Sequence, residues 1–238
     1  MARDSWNAQD NMITLQIGGF KQHVGDIGST DLFYWIKNSL IEMCTAGNCR
    51  PDPDKPDSTG SKICCDTKGR WKEGINFVTN GNKTRESGSV LKLEVLKHDL
   101  WGSRELPELM FKTVAETYAR EVMAMDSQGK RMNCYQQKVD NDQKEPWYCN
   151  VGEFVEISAN KRSIRTRLTY KHKTIYGSSS CSATKKETFK GLDRYKKDYT
   201  VAYNKGLGRG DGLQLQLKCC GDSFQANPNV KDCVEVKP

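Results

Sequence analysis

No window of the chain approaches the roughly eighteen consecutive apolar residues of a membrane-crossing helix, so none is expected. Apolar residues are sparse throughout: 36% of the 238 residues are hydrophobic, 28% are charged, and the mean hydropathy is -0.74. So polar a chain has less apolar burial than usual to set against its conformational entropy, and covalent cross-links would help it fold. Histidine is equally scarce, with His23, His98 and His172 scattered singly. The first thirty residues hold no apolar run of the signal-peptide kind. Met1-Ala2-Arg3-Asp4-Ser5 therefore reads as the start of a mature chain carrying an added initiator Met, its export signal removed. No GxSxG, HExxH, Walker-type or GxGxxG pattern occurs. The sequence thus offers no nucleophile elbow and gives no reason to expect a cofactor.

Cysteine, by contrast, is abundant. Cys44, Cys49, Cys64, Cys65, Cys134, Cys149, Cys181, Cys219, Cys220 and Cys233 make an even set of ten. Structural zinc sites need paired C-x₂₋₄-C knuckles matched by a second pair or by histidines. Cys44-x₄-Cys49 is the only spacing of that kind, so no metal is expected and the cysteines are read as disulfides. Spacing leaves the pairing open. One constraint holds: Cys64 and Cys65, and likewise Cys219 and Cys220, should reach different partners, because a bridge between neighbours departs from preferred disulfide geometry. An oxidised framework places the protein outside the cell, secreted and extracellular. In that setting the sequon Asn82-Lys83-Thr84, beside the turn-like Asn80-Gly81, becomes a candidate glycosylation site.

Period-two alternation recurs at Ile13/Leu15/Ile17, Leu91/Leu93/Val95, Val155/Ile157, Ile164/Leu168, Tyr199/Val201/Tyr203 and Leu213/Leu215/Leu217. Strands that alternate this way bury one face, which argues antiparallel pairing. Two segments are helical instead. Leu32, Phe33, Ile36, Leu40 and Cys44 fall on one stripe behind a Ser29 or Thr30 cap, with Gly47 as a stop. Leu106, Met110, Val114, Tyr118, Val122 and Met125 form a second stripe, starting at Pro107 and ending at Gly129, with Glu116 and Arg120 paired at i,i+4. The expected fold is α+β: a two-layer sandwich of two helices on a mainly antiparallel sheet, stapled by disulfides. It forms one domain over 1–238, and any subdivision would fall near 126–130. Arg50 to Ser89 and Tyr176 to Lys190 read as long polar loops, the first tied down by its cysteines.

Charge is uneven. From Lys161 to Arg209 fourteen Lys/Arg stand against three acids (Glu187, Asp193 and Asp198), whereas the whole chain carries only +7. Arg165, Arg167, Lys171 and Lys173 share one strand parity, and Ile164, Leu168 and Tyr170 the other. With the apolar parity packed on the helices, the basic parity forms a ladder on the open face, extended by Arg194, Lys196 and Lys197. Such a run is either a solvated face that discourages edge pairing or a surface for polyanions. On the second reading the partners are an acidic glycan, an anionic lipid or a host or cell-surface protein, ahead of nucleic acid.

Other candidates are thinner. His172, between Lys171 and Lys173, could serve a phosphodiesterase or nuclease as base beside cations that stabilise an oxyanion, though strand parity aims it away from them. His98 follows a strand beside Asp99 and is expected to be structural, as is His172. Asp52-x-Asp54-x-x-Asp57 lacks the central Gly and closing Glu of a calcium loop. Arg209-Gly210-Asp211 sits at a glycine-rich hairpin tip, the setting of an adhesion triplet and also of an ordinary turn. The cysteine-rich two-layer build is similar in style to small secreted toxins and effectors of microbial pathogens. The function expected is therefore target binding by a toxin- or effector-like protein rather than catalysis.

Overall fold

The computed structural model describes residues 11–18, 20–45, 49, 62–78, 85–102, 104–136, 146–170, 181–207, 213–221 and 233–236. Asn82, Lys171, His172, Lys173, the Asp52–Asp57 segment and the Arg209-Gly210-Asp211 triplet lie outside them.

Alternation builds the main sheet. In β1 (Met12–Ile17), Ile13, Leu15 and Ile17 are fully buried and their neighbours are not. β1 lies between β9 (Phe154–Ala159), antiparallel to it, and β11 (Gln214–Cys220), parallel to it. β9 turns into β10 (Arg162–Tyr170) through Asn160 and Lys161, at φ 48° and 61°. Two left-handed residues in a two-residue loop match the twist of a hairpin. Beyond β10 runs β6 (Arg85–Trp101), a 17-residue strand long enough to carry β5 (Arg70–Val78) along one stretch and β4 (Lys62–Cys65) near its end. β3 (Cys44–Thr45) and β12 (Cys233–Val236) complete the order β12-β11-β1-β9-β10-β6-β4-β3, with β5 beside β6. The sheet is mixed and mostly antiparallel. A small second sheet orders β2 (Lys21–Gly25), β8 (Trp147–Gly152) and β7 (Cys134–Gln136).

The described residues include three helices: α1 (Ser29–Met43), α2 (Glu105–Met123) and α3 (Cys181–Leu207). The α+β, disulfide-stapled class expected from the sequence stands, with one helix more than the two foreseen. The third replaces a strand expected at Tyr199/Val201/Tyr203. Tyr195, Tyr199 and Tyr203 are buried while Val201 is 46% exposed. That is a four-residue repeat on one helix face, and a strand parity would bury Val201 with the tyrosines. Tyr199 Oη and Thr113 Oγ1 share a 2.8 Å hydrogen bond that ties α3 to α2. The loops expected at Arg50–Ser89 and Tyr176–Lys190 are likewise partly structured: the first contains β4, β5 and the start of β6, and the second the first turns of α3. In β5 the period breaks at Gly74, where φ is 73° and the register with β6 shifts, so alternation does not mark the strand.

All ten cysteines are bridged, as Cys44–Cys65, Cys49–Cys64, Cys134–Cys149, Cys181–Cys219 and Cys220–Cys233. Each adjacent pair divides between two partners as expected. Because neighbours in a strand face opposite sides, Cys219 reaches α3 on the core side of β11, while Cys220 reaches β12 on the other. Among the described residues no helix is long and apolar enough to cross a membrane.

Candidate basic surface and helix cleft

In β10 the even positions from Arg162 to Tyr170 are buried and the odd ones partly exposed. Thr166, on the even side, has its hydroxyl 3.4 Å from that of Tyr118 in α2, so Arg165 and Arg167 point away from the helices. They do not project as free cations. Arg165 donates through Nε (2.7 Å) and Nη2 to Glu156 on β9. Arg167 donates to Glu94 on β6, at 3.2 Å from Nε and 2.9 Å from Nη2. Lys92 donates to the other oxygen of Glu94 at 2.7 Å and lies 5.2 Å from the Trp71 ring. Burial alone would raise the Glu94 pKa, but the Lys92 and Arg167 donors outweigh it and hold the carboxyl below its usual range. The face is thus a ladder of alternating sign. Each described arginine of the expected basic ladder meets an acid on a neighbouring strand.

The histidines are structural where described. His98 Nε2 accepts a hydrogen bond from the Cys65 backbone N–H at 3.2 Å, and burial, helped by Lys62, lowers its pKa. His23 lies in β2, buried among Phe77, Tyr135, Tyr148 and Tyr170, with Nδ1 3.0 Å from Asn150 Oδ1. Among the described residues no group of three His, Cys, Asp or Glu side chains is placed to hold a metal ion.

The helix cations are arranged differently. Lys186, Lys190, Arg194 and Lys197 are all exposed and stand at i, i+4, i+8 and i+11 of α3. At 3.6 residues per turn they span an arc of about 80°. The buried residues Thr188, Leu192, Tyr195 and Tyr199 occupy the opposite side. The whole of α3 carries seven Lys/Arg against three acids. The sequence places Arg194, Lys196 and Lys197 on one surface with the strand arginines; in the structure Arg194 and Lys197 sit on the outer side of the helix layer, the exposed Lys196 on its flank, and Arg165 and Arg167 on the sheet face turned from it. Lys186 and Lys190 fall in the loop that the sequence predicts over Tyr176–Lys190; as part of α3 they take up helical spacing with Arg194 and Lys197.

No family model, curated protein or solved structure matches this chain.

Arg194 also borders a cleft. Ser29, Thr30, Phe33 and Tyr34 of α1, Glu116 and Arg120 of α2, and Arg194 and Tyr195 of α3 line a space of about 300 Å³. Glu116 is buried, and its Oε1 accepts from Arg120 Nε at 2.7 Å and lies 3.6 Å from Arg194 Nη1. Gly191 makes the junction close: a Cβ there would meet Glu116 Cγ at 3.0 Å and Arg120 Cγ at 3.3 Å. A glycine inside a helix costs about 1 kcal/mol relative to alanine, and here it lets α3 approach the Glu116–Arg120 pair. The i,i+4 pairing of Glu116 with Arg120 was legible in the sequence; its meeting with Arg194 was not.

Proposed function

We propose that this is a secreted binding protein of toxin or effector type, which engages an acidic glycan through the basic face of α3. The observation that carries the reading is the stripe of Lys186, Lys190, Arg194 and Lys197, exposed along one side of a helix whose other side is buried. Four cations lie in register along three turns of a helix with seven Lys/Arg against three acids; Lys190 is paired with Glu187 at 2.6 Å and Arg194 lies 3.6 Å from Glu116. The five disulfides support an oxidising, extracellular setting. In that compartment sulfated and carboxylated glycans are the abundant linear polyanions.

The test is retention on an immobilised sulfated polysaccharide, compared with vesicles of anionic and of neutral lipid. Retention on the polysaccharide that weakens steeply as salt is raised supports the reading, since exposed charges are screened within about 8 Å at physiological ionic strength. Equal retention on neutral and anionic surfaces overturns it. Retention on anionic vesicles alone transfers the α3 face to a lipid headgroup and overturns the glycan assignment.

A further inference from the structure

We infer that the cleft between α1, α2 and α3 is a subsite for a single anionic sugar unit, a monosaccharide ring bearing a carboxylate or sulfate. The inference rests on the glycan reading above and supplies what that reading leaves open, the group recognised rather than the charge attracted.

Three features converge there. The first is a pair of guanidiniums placed by one buried carboxylate. Arg120, 14% exposed, is held by Glu116 at 2.7 Å and approached by Glu187 at 3.7 Å. Arg194 is 61% exposed and touches Glu116 only at 3.6 Å. A guanidinium carries five N–H donors in a fork that matches a carboxylate or sulfate, so Arg194 keeps donors for a ligand while Glu116 keeps it at the cleft. The second feature is the start of α1. Its N-cap Gly28 makes no side-chain cap hydrogen bond, and Ser29 and Thr30 of the first turn line the cleft, with the Asp31 carboxylate in the same turn offsetting part of the positive helix end. The third is aromatic. Tyr34 is 53% exposed, with Lys37 Nζ 5.0 Å from its ring, and the buried Tyr195 of α3 also lines the cleft. A flat ring face suits the C–H face of a sugar, and the cations suit its charged substituent.

Size and composition select among anions. At about 300 Å³ the cleft stands at the small end of ligand sites, which suits one ring and its substituent. Hydroxyls at Ser29 and Thr30 add polar partners for ring hydroxyls. The cleft continues the α3 stripe through Arg194, so a chain held along Lys186 and Lys190 reaches it without a break.

The experiment titrates the full-length oxidised protein with glucuronic acid, glucosamine 6-sulfate and glucose, following saturation transfer and backbone amide shifts. Alongside it runs wild-type retention on heparin. The two anionic sugars are expected to bind and shift the amides of 29–31, and glucose is not. Tyr34→Ala and Arg194→Gln, both at exposed positions, are each expected to weaken glucuronate about tenfold, the loss of one good charge-assisted or stacking contact. Unchanged binding in both variants overturns the subsite. Heparin retention without binding of any anionic sugar overturns the subsite and leaves the α3 reading standing. Anionic-sugar binding without heparin retention upholds the subsite and removes the stripe. If O-sulfotyrosine displaces glucuronate and binds more tightly by tenfold or more, the occupant is a modified peptide and the sugar assignment is overturned.

Discussion

Cys181, the first residue of α3, is bonded to Cys219 in β11, 38 residues further along the chain. The bridge pins the start of the most basic helix to the core side of the sheet, and so helps set which way its cations face. In the chain-entropy view a loop of this length restricts the unfolded state by about 4 kcal/mol. Cys181→Ser/Cys219→Ser is expected to lose roughly that stability in urea titrations and to become open to proteolysis within 181–207. A variant as stable and as resistant as the parent would show that α3 is held by packing alone.

The pairing of Arg165 with Glu156 makes a second prediction. Their side chains are only 13% and 10% exposed, so removing one partner strands the other as a poorly solvated charge. Glu156→Gln or Arg165→Gln is expected to cost about 3 kcal/mol. The double change Arg165→Met/Glu156→Leu should come within about 1 kcal/mol of the parent, because a buried pair repays little more than its own desolvation. Equal losses in single and double variants would argue against the pair.

His23 gives a dependence on pH. Burial, opposed by its hydrogen bond to Asn150 and by the backbone of Cys149, depresses its pKa below the ordinary 6.5. In the window beneath 6.5 the unfolded chain therefore binds a proton that the folded protein refuses. Stability falls as pH drops through that window, by at most about 1.4 kcal/mol per pH unit from this residue. His23→Phe removes the titration, so the stability gap between parent and variant should shrink from pH 8 to pH 5. His98 shifts in the same direction but is common to both proteins and cancels. A gap that does not change with pH would contradict the assignment.

The packing of α2 on α3 yields a fourth. Thr113 Oγ1 meets Tyr199 Oη at 2.8 Å in the interior and also donates to the Leu109 carbonyl at 2.8 Å. Thr113→Val leaves the phenol without that partner and should cost about 1–3 kcal/mol, with part recovered on adding Tyr199→Phe. No recovery in the double variant would place the cost in shape rather than in the hydrogen bond.

What the sequence disclosed, and what it hid, follows from which period each segment obeys. β1 was legible because Ile13, Leu15 and Ile17 face a core that Thr14 and Gln16 do not. α2 was legible because a stripe from Leu106 to Val122 repeats at helical spacing, and it is buried as that predicts. Tyr199 and Tyr203 misled because residues four apart share a face in a strand and in a helix alike; only the exposure of Val201 separates the two. β8 escaped because every residue from Tyr148 to Gly152 is buried, which erases alternation. The candidate site suffered most. Arg167 finds Glu94 across 73 positions, and the cleft gathers residues from three helices. Basic parity along one strand records only half of such a face, since the acids that neutralise it arrive from its neighbours. That all ten cysteines are oxidised was legible, because it depends on their count and spacing, whereas which pairs form depends on strands and helices that only the fold brings together.

The most direct measurement is the salt concentration that elutes three proteins from immobilised heparin: the parent, Lys186→Glu/Lys190→Glu/Lys197→Glu, and Arg167→Gln. If α3 makes the contact, the triple variant elutes at far lower salt or is not retained, while Arg167→Gln, already neutralised by Glu94, elutes with the parent. If the triple variant elutes with the parent and Arg167→Gln is the one released early, the contact face is the sheet and not the helix.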